Sequence, residues 1–139
     1  MDVIPLSATR KTIARRLTEA KQSVPHFYLT AQYELDGLLA HRQNLNSEGQ
    51  IKISVNDLLL WCVAQALTKE PRVNVNLVDD DIHQFQAAHL SVAIATDGGL
   101  YPATIRNADA LTPKEISQPM RALTNKAKTG TLEKDDISG

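Results

Sequence analysis

The 139-residue chain sets 15 Lys and Arg against 16 Asp and Glu, a formal charge of −1, with 42% hydrophobic residues. That balance excludes a whole-chain attraction to nucleic acid or an anionic membrane, and the length suits one compact domain or part of one. The longest apolar run, Leu58 to Ala64, is far too short to cross a bilayer, and the start Met1-Asp2-Val3 lacks a charged-then-apolar leader. The lone Cys62 lies within that run, which rules out an intrachain disulfide and suits a reducing compartment.

In chain order, Ser7 is placed to cap a helix whose Ile13, Leu17 and Ala20 recur at helical spacing, leaving Arg10, Lys11, Arg15 and Arg16 mostly on other faces. From Phe27 the pattern changes to period two, with Phe27, Leu29, Ala31 and Tyr33 on one side, and predicts a half-buried strand reaching Glu34. Asp36 is then expected to cap a short helix through about Leu45, with Leu38, Leu39 and Leu45 towards the core.

Ser54 and Asp57 have the spacing of a capping box opening a second helix, whose near-continuous apolar surface from Leu58 to Leu67 predicts a central position and which must stop before Pro71. Asn74 to Phe85 reads as strand or loop interrupted by a turn at Asp79-Asp80-Asp81. Leu90–Ala95 and Leu100–Ile105 read as strands joined around Asp97-Gly98-Gly99. Thr112, Pro113 and Glu115 combine a cap, a pre-set first residue and a reciprocal carboxylate, starting a helix with Ile116, Met120 and Leu123 that Gly130 should end.

Four stretches in order carry a resemblance: Ile4-Pro5-Leu6-Ser7 running into Arg10 to Leu17; Val24-Pro25-His26-Phe27-Tyr28-Leu29-Thr30; Lys52-Ile53-Ser54-Val55-Asn56-Asp57; and Val92 to Leu100, followed by Pro102 and Asn107-Ala108. Together they resemble the N-terminal part of the catalytic domain of dihydrolipoyl acyltransferases of 2-oxoacid dehydrogenase complexes. The resemblance implies an α/β (α+β) fold, a chloramphenicol acetyltransferase-like mixed sheet with helices. It makes residues 1–139 a single partial, C-terminally truncated catalytic domain. The family's Asp-His-Arg-x-x-Asp-Gly motif and its preceding serine segment do not occur in this stretch, so no residue here is assigned as catalytic and the chain by itself is expected to lack turnover.

By the same resemblance, Arg42 and Ser54 match positions that contact coenzyme A. The physics agrees: a guanidinium forks phosphate oxygens, and a helix-opening serine lies among unpaired backbone N–H groups. The plainer alternatives are a surface arginine and a simple cap. Of the four histidines, His26 matches a positioning or packing place, and His41, His83 and His89 lie in no catalytic motif. Asp79-Asp80-Asp81 lacks the ligand spacing of a calcium loop, and Asp97-Gly98-Gly99 lacks the Lys-Ser/Thr of a phosphate loop.

Acyl transfer between dihydrolipoamide and coenzyme A is therefore the implied activity of the full domain. A non-catalytic assembly protein built on the same fold is the alternative. Either way the expected partner is another copy of the chain or a fuller relative, not nucleic acid or a membrane, and no lipoyl lysine is expected here. The implied location is a bacterial cytoplasm or, in a eukaryote, the mitochondrial matrix.

Overall fold

The computed structural model describes residues 1–49 and 51–138. It comprises two compact units, one spanning Met1–Tyr33 and the other beginning at Glu34.

The first unit holds helix α1, Ala8–Ser23. Ser7 caps it as its sequence position demands: the backbone is extended there and the side chain accepts from the Arg10 N–H at 3.3 Å. Of the expected apolar face, Ile13 is half-buried, while Leu17 and Ala20 are exposed. The cluster of basic residues is solvated, with Arg15 and Arg16 paired to Glu19 at 2.8 and 3.7 Å, exposed pairs of small energetic weight. The predicted strand from Phe27 to Glu34 does not form: residues 25–35 are neither helix nor strand, and Phe27, Leu29 and Tyr33 are all exposed. Alternation makes a segment suitable for a sheet, but a strand exists only when a neighbour supplies its ladder hydrogen bonds.

The second unit opens with α2, Asp36–Glu48. Asp36 is its first helical residue and not its cap. Leu35 holds the cap position with a helical backbone and no side-chain hydrogen bond, so the carboxylate acts through its charge in the first turn. Leu38 and Leu45 are half-buried as expected, whereas Leu39 is exposed.

Helix α3, Val55–Lys69, starts at the predicted capping box. Ser54 accepts from the Asp57 N–H at 3.0 Å, and Asp57 accepts from the Ser54 N–H at 2.8 Å. Its buried stripe, Leu58 and Ala64 with Trp61 and Leu67 beside them, follows helical spacing, but Leu59, Cys62 and Val63 face solvent. The helix is therefore covered on one side and open on the other, which continuous hydrophobicity alone does not reveal.

Asn74 to Phe85 forms a hairpin, β1 Val75–Val78 against β2 Asp81–Gln84, with Asp79 at a φ of 54° in the turn. Aspartate tolerates that left-handed geometry better than most residues. A second antiparallel hairpin pairs β3, Leu90–Thr96, with β4, Gly99–Ile105, in the register Leu90↔Ile105 to Thr96↔Gly99. Its tight turn is tied by Thr96 Oγ1, which accepts from the Gly98 N–H at 3.2 Å and donates to the Gly99 carbonyl at 3.1 Å.

Helix α4, Pro113–Thr129, lies across this hairpin and against α3. Ile116, Leu123 and Ala127 close the core over Ala64, Leu90, Ile94 and Ile105. Pro119 sits inside α4, where it removes a backbone donor without ending the helix. Gly130, at a φ of 69°, ends it as its sequence position predicts. A short helix α5, Lys134–Ile137, follows, and Lys126 of α4 donates to Asp136 at 2.9 and 3.1 Å. The α+β architecture is the expected one, its strands meeting as two separate antiparallel hairpins.

Two of these helix starts are expected to be acid-sensitive. The Thr112 N–H and then its hydroxyl hold the Glu115 carboxyl below its ordinary value of 4.5. The Glu133 N–H and then the Lys126 ammonium do the same for Asp136 relative to 3.8. A carboxylate depressed in the folded state stabilises fully above its unfolded value and loses that contribution as the pH falls through the folded value. Acidification from about pH 5 to pH 2 is therefore expected to loosen the first turn of α4 and α5 before the core. Protection of the Thr112 and Glu133 amides in hydrogen exchange, corrected for intrinsic rate, should fall in that window. Unchanged protection would show that the caps do not depend on charge.

Candidate functional site: a cationic turn between α2 and α4

The link Lys52-Ile53-Ser54 between α2 and α3 is gripped from both sides. From α2, Arg42 Nε donates to the Ile53 carbonyl at 2.8 Å, and Asn46, one turn further on, donates to the same oxygen at 3.0 Å. Asn46 Oδ1 also accepts from the Ile53 N–H at 2.7 Å, so its amide matches both polar groups of one residue. From α4, the Arg121 guanidinium and the Ser117 hydroxyl both donate to the Lys52 carbonyl, the latter at 3.4 Å. Lys52 Nζ in turn donates to the Asn46 carbonyl at 3.0 Å.

Three cations thus meet at one turn, and among the described residues none of Arg42, Lys52 and Arg121 takes part in an ion pair. The turn leads into the N-terminus of α3, whose first N–H groups add partial positive charge. Asp57 is the acid among them. It is 4% exposed and held on the Ser54 N–H, so it faces the cap and not the solvent.

Lys52 lines two shallow depressions. One, of about 500 Å³, is lined by Leu39, Arg42, Gln43, Asn46, Ser47 and Lys52. The other, of about 440 Å³, is lined by Lys52, Ser54, Asn56, Asp57, Met120, Arg121, Thr124 and Asn125.

The two residues expected to meet coenzyme A are therefore neighbours around one peptide, but they line different depressions, with Lys52 common to both. Arg42 spends its Nε on the backbone and keeps its terminal nitrogens, and Ser54 spends its oxygen on the cap and keeps its O–H. The sequence reading missed three contributors. Asn46 lies four residues beyond Arg42 on one helix face, a spacing that could have flagged it. Lys52 stood in the motif itself. Arg121 is 69 residues from Lys52 in the chain, and no local pattern connects them.

The histidines lie elsewhere. In the first unit His26 donates through Nδ1 to the Val24 carbonyl at 2.8 Å and receives Lys21 Nζ on Nε2 at 2.7 Å, a local tie among exposed groups. His41 lines an apolar groove of about 530 Å³ with Leu38, Leu45, Trp61 and Pro113. His83 is exposed on β2. His89 accepts the Asn107 N–H on Nδ1 at 3.0 Å, fixing the left-handed residue after β4. No histidine lines either depression beside Lys52. The turn has the chemistry to bind an anion and not, through these linings, to move a proton from a thiol.

The family described as 2-oxoacid dehydrogenases acyltransferase (catalytic domain) matches residues 1–139. The dihydrolipoyllysine-residue acetyltransferase component of the pyruvate dehydrogenase complex of Zymomonas mobilis is 42% identical over 98% of this chain, which spans 32% of that relative. Component 3 of the mitochondrial Arabidopsis thaliana complex is 41% identical over 98% of the chain and is spanned over 26% of its own length. The chain therefore covers about a third or less of these curated relatives. Among solved structures, a probable dihydrolipoamide acetyltransferase from Listeria monocytogenes superposes on the whole chain with a TM-score of 0.91 at 29% identity, over 61% of its own length. The cubic core of a pyruvate dehydrogenase multienzyme complex agrees in fold, with a TM-score of 0.93 at 24% identity. Over residues 1–139, this chain belongs to the 2-oxoacid dehydrogenases acyltransferase (catalytic domain) family.

Proposed function

We propose that these residues form the coenzyme A-facing part of an acyltransferase catalytic domain that exchanges an acyl group between dihydrolipoamide and coenzyme A within a 2-oxoacid dehydrogenase complex. The observation that carries the reading is the convergence of Arg42, Lys52 and Arg121, with no ion-pair partner among the described residues, on the turn that Ser54 closes. Cations left without carboxylates at a helix N-terminus suit the phosphates of coenzyme A, and a guanidinium suits them better than a point charge does. Acetyl is the acyl group assigned, following the names of the curated relatives. The same names include bacterial and mitochondrial proteins, and a bacterial cytoplasm or a mitochondrial matrix is the proposed location.

Within the domain, this stretch binds and orients the ligand while the proton chemistry lies with groups outside both depressions. The isolated 139 residues are accordingly proposed to bind without turnover. They are also proposed to work in an assembly of copies or with a fuller relative, supported by the assembled cores among the structural neighbours.

Calorimetric titration of the chain with coenzyme A tests the reading. Binding is expected, weakening as salt is raised, and Arg42→Ala should reduce it by about tenfold or more, the scale of a lost charge-assisted hydrogen bond. Absence of binding by the unaltered chain would overturn the assignment, and equal binding by Arg42→Ala would remove Arg42 from the site.

A further inference from the structure

In the first unit an amine and an imidazole meet within hydrogen-bond distance. Lys21, in the last turn of α1, is exposed and pairs with no carboxylate among the described residues. It donates instead to His26 Nε2 at 2.7 Å and to the Tyr28 hydroxyl, and its nitrogen stands 4.9 Å from the centre of the Tyr28 ring. The Tyr28 ring meets the His26 ring edge-on at 5.6 Å, and its hydroxyl lies 3.4 Å from the same Nε2. The far side of the imidazole fixes its tautomer. Nδ1 lies 2.8 Å from the Val24 carbonyl, which can only accept, so Nδ1 carries the proton and Nε2 of the neutral ring offers its lone pair.

A surface lysine ordinarily rests against water or a carboxylate, both too weakly basic to take its proton near neutral pH. An imidazole is basic enough, and an amine whose N–H points at a free imidazole lone pair has the arrangement that activates a nucleophile. Exposure of all three side chains leaves the nitrogen open to an electrophile.

We propose that Lys21 is an acyl-acceptor lysine, modified by acyl thioesters with His26 as the base. Lys21 Nζ adds to the thioester carbonyl carbon, the new C–N bond replaces the C–S bond, and the sulfur leaves as a thiolate. Of the two protons that the ammonium gives up, one passes through His26 Nε2 to the thiolate and the other goes to solvent. The products are an amide on Lys21 and a free thiol. The modification would cancel the one basic charge in the last turn of α1, where it complements the helix dipole. This site stands apart from the Lys52 turn, and any acyl thioester serves it, whether of coenzyme A or of dihydrolipoamide.

The full chain is incubated with acetyl-coenzyme A in one arm and with S-acetyldihydrolipoamide in the other, and acetylation of each lysine is followed by peptide mass spectrometry. Lys11, exposed on the same helix, is the reference for an unassisted amine. Lys21 is expected to react about tenfold or more faster than Lys11 in at least one arm, the faster arm naming the donor. His26→Gln keeps an acceptor for the Lys21 amine but supplies no base, and should bring the ratio of the two rates close to one. Lowering the pH from about 8 to about 5 should do the same in the unaltered chain, because a protonated imidazole has no lone pair to offer. The titratable groups that this ring meets are Lys21 and Tyr28. Loss of neutral amine at low pH affects both lysines and largely cancels in the ratio.

Equal rates at Lys21 and Lys11 in both arms overturn the proposal, as does a Lys21 preference that survives His26→Gln or persists unchanged at the lower pH. Failure of the coenzyme A reading would appear as absent calorimetric binding and would leave the S-acetyldihydrolipoamide arm intact.

Discussion

Ile116→Ala is expected to lower the stability of the folded chain by about 2–5 kcal/mol, the usual cost of emptying a fully buried isoleucine position. Ile116 is 0% exposed in the first turns of α4 and belongs to the core formed with the β3–β4 hairpin and α3. The loss has two parts, the transfer free energy of the deleted methyl and methylene groups and the cavity left between elements that relax only partly. Against a total of about 5–15 kcal/mol for a domain, it removes a large share. Urea unfolding should show the midpoint shifted down with an unchanged slope, because the surface exposed on unfolding is nearly the same. A cost below about 1 kcal/mol would mean that α4 does not close this core in solution.

Phe27→Ser combined with Leu29→Ser is expected to change the assembly state more than any other surface alteration. In the first unit Phe27 is 80% exposed and Leu29 85% exposed, with Tyr33 also at 80%. Three large apolar side chains alternating along one segment form a surface that soluble monomers rarely leave open, and the backbone between them has ladder donors and acceptors to offer. Covering Phe27 and Leu29 is worth about 1.5–3 kcal/mol each, so their loss should weaken association by two orders of magnitude or more in the dissociation constant, by the rule of about 1.4 kcal/mol per tenfold. Light scattering over a concentration series should find the unaltered chain associating and the double variant shifted to monomer. Concentration-independent monomers for both would refute a contact role for this segment.

The starts of α1, α3 and α4 were readable because their causes are local. Ser54 with Asp57, and Thr112 with Pro113 and Glu115, fix their capping hydrogen bonds within a few residues, and Gly130 supplies a left-handed stop that needs no distant partner. The β3–β4 hairpin was readable for the same reason, since its strands and turn are contiguous. Residues 27–34 show the opposite case. Their alternation is as regular as that of β3, yet no ladder forms, because a strand's hydrogen bonds belong to the pair. Leu59 and Val63 belong to an unbroken apolar run but face solvent, because hydrophobicity states what a residue favours and only packing supplies its neighbours.

The site divides along the same line. Arg42 and Ser54 were singled out as matched positions, and Asn46 was missed although helical spacing sets it on the same face as Arg42, all on a short stretch of chain. Arg121 was not legible, since only the packing of α4 against α3 carries it across 69 residues to the Lys52 carbonyl. By itself the sequence determined the caps of α1, α3 and α4, the β3–β4 turn and the family, because each is written in short-range residue patterns. The tertiary structure alone decided which apolar faces are covered and which cations share a turn, because burial and electrostatic convergence depend on groups brought together from distant parts of the chain.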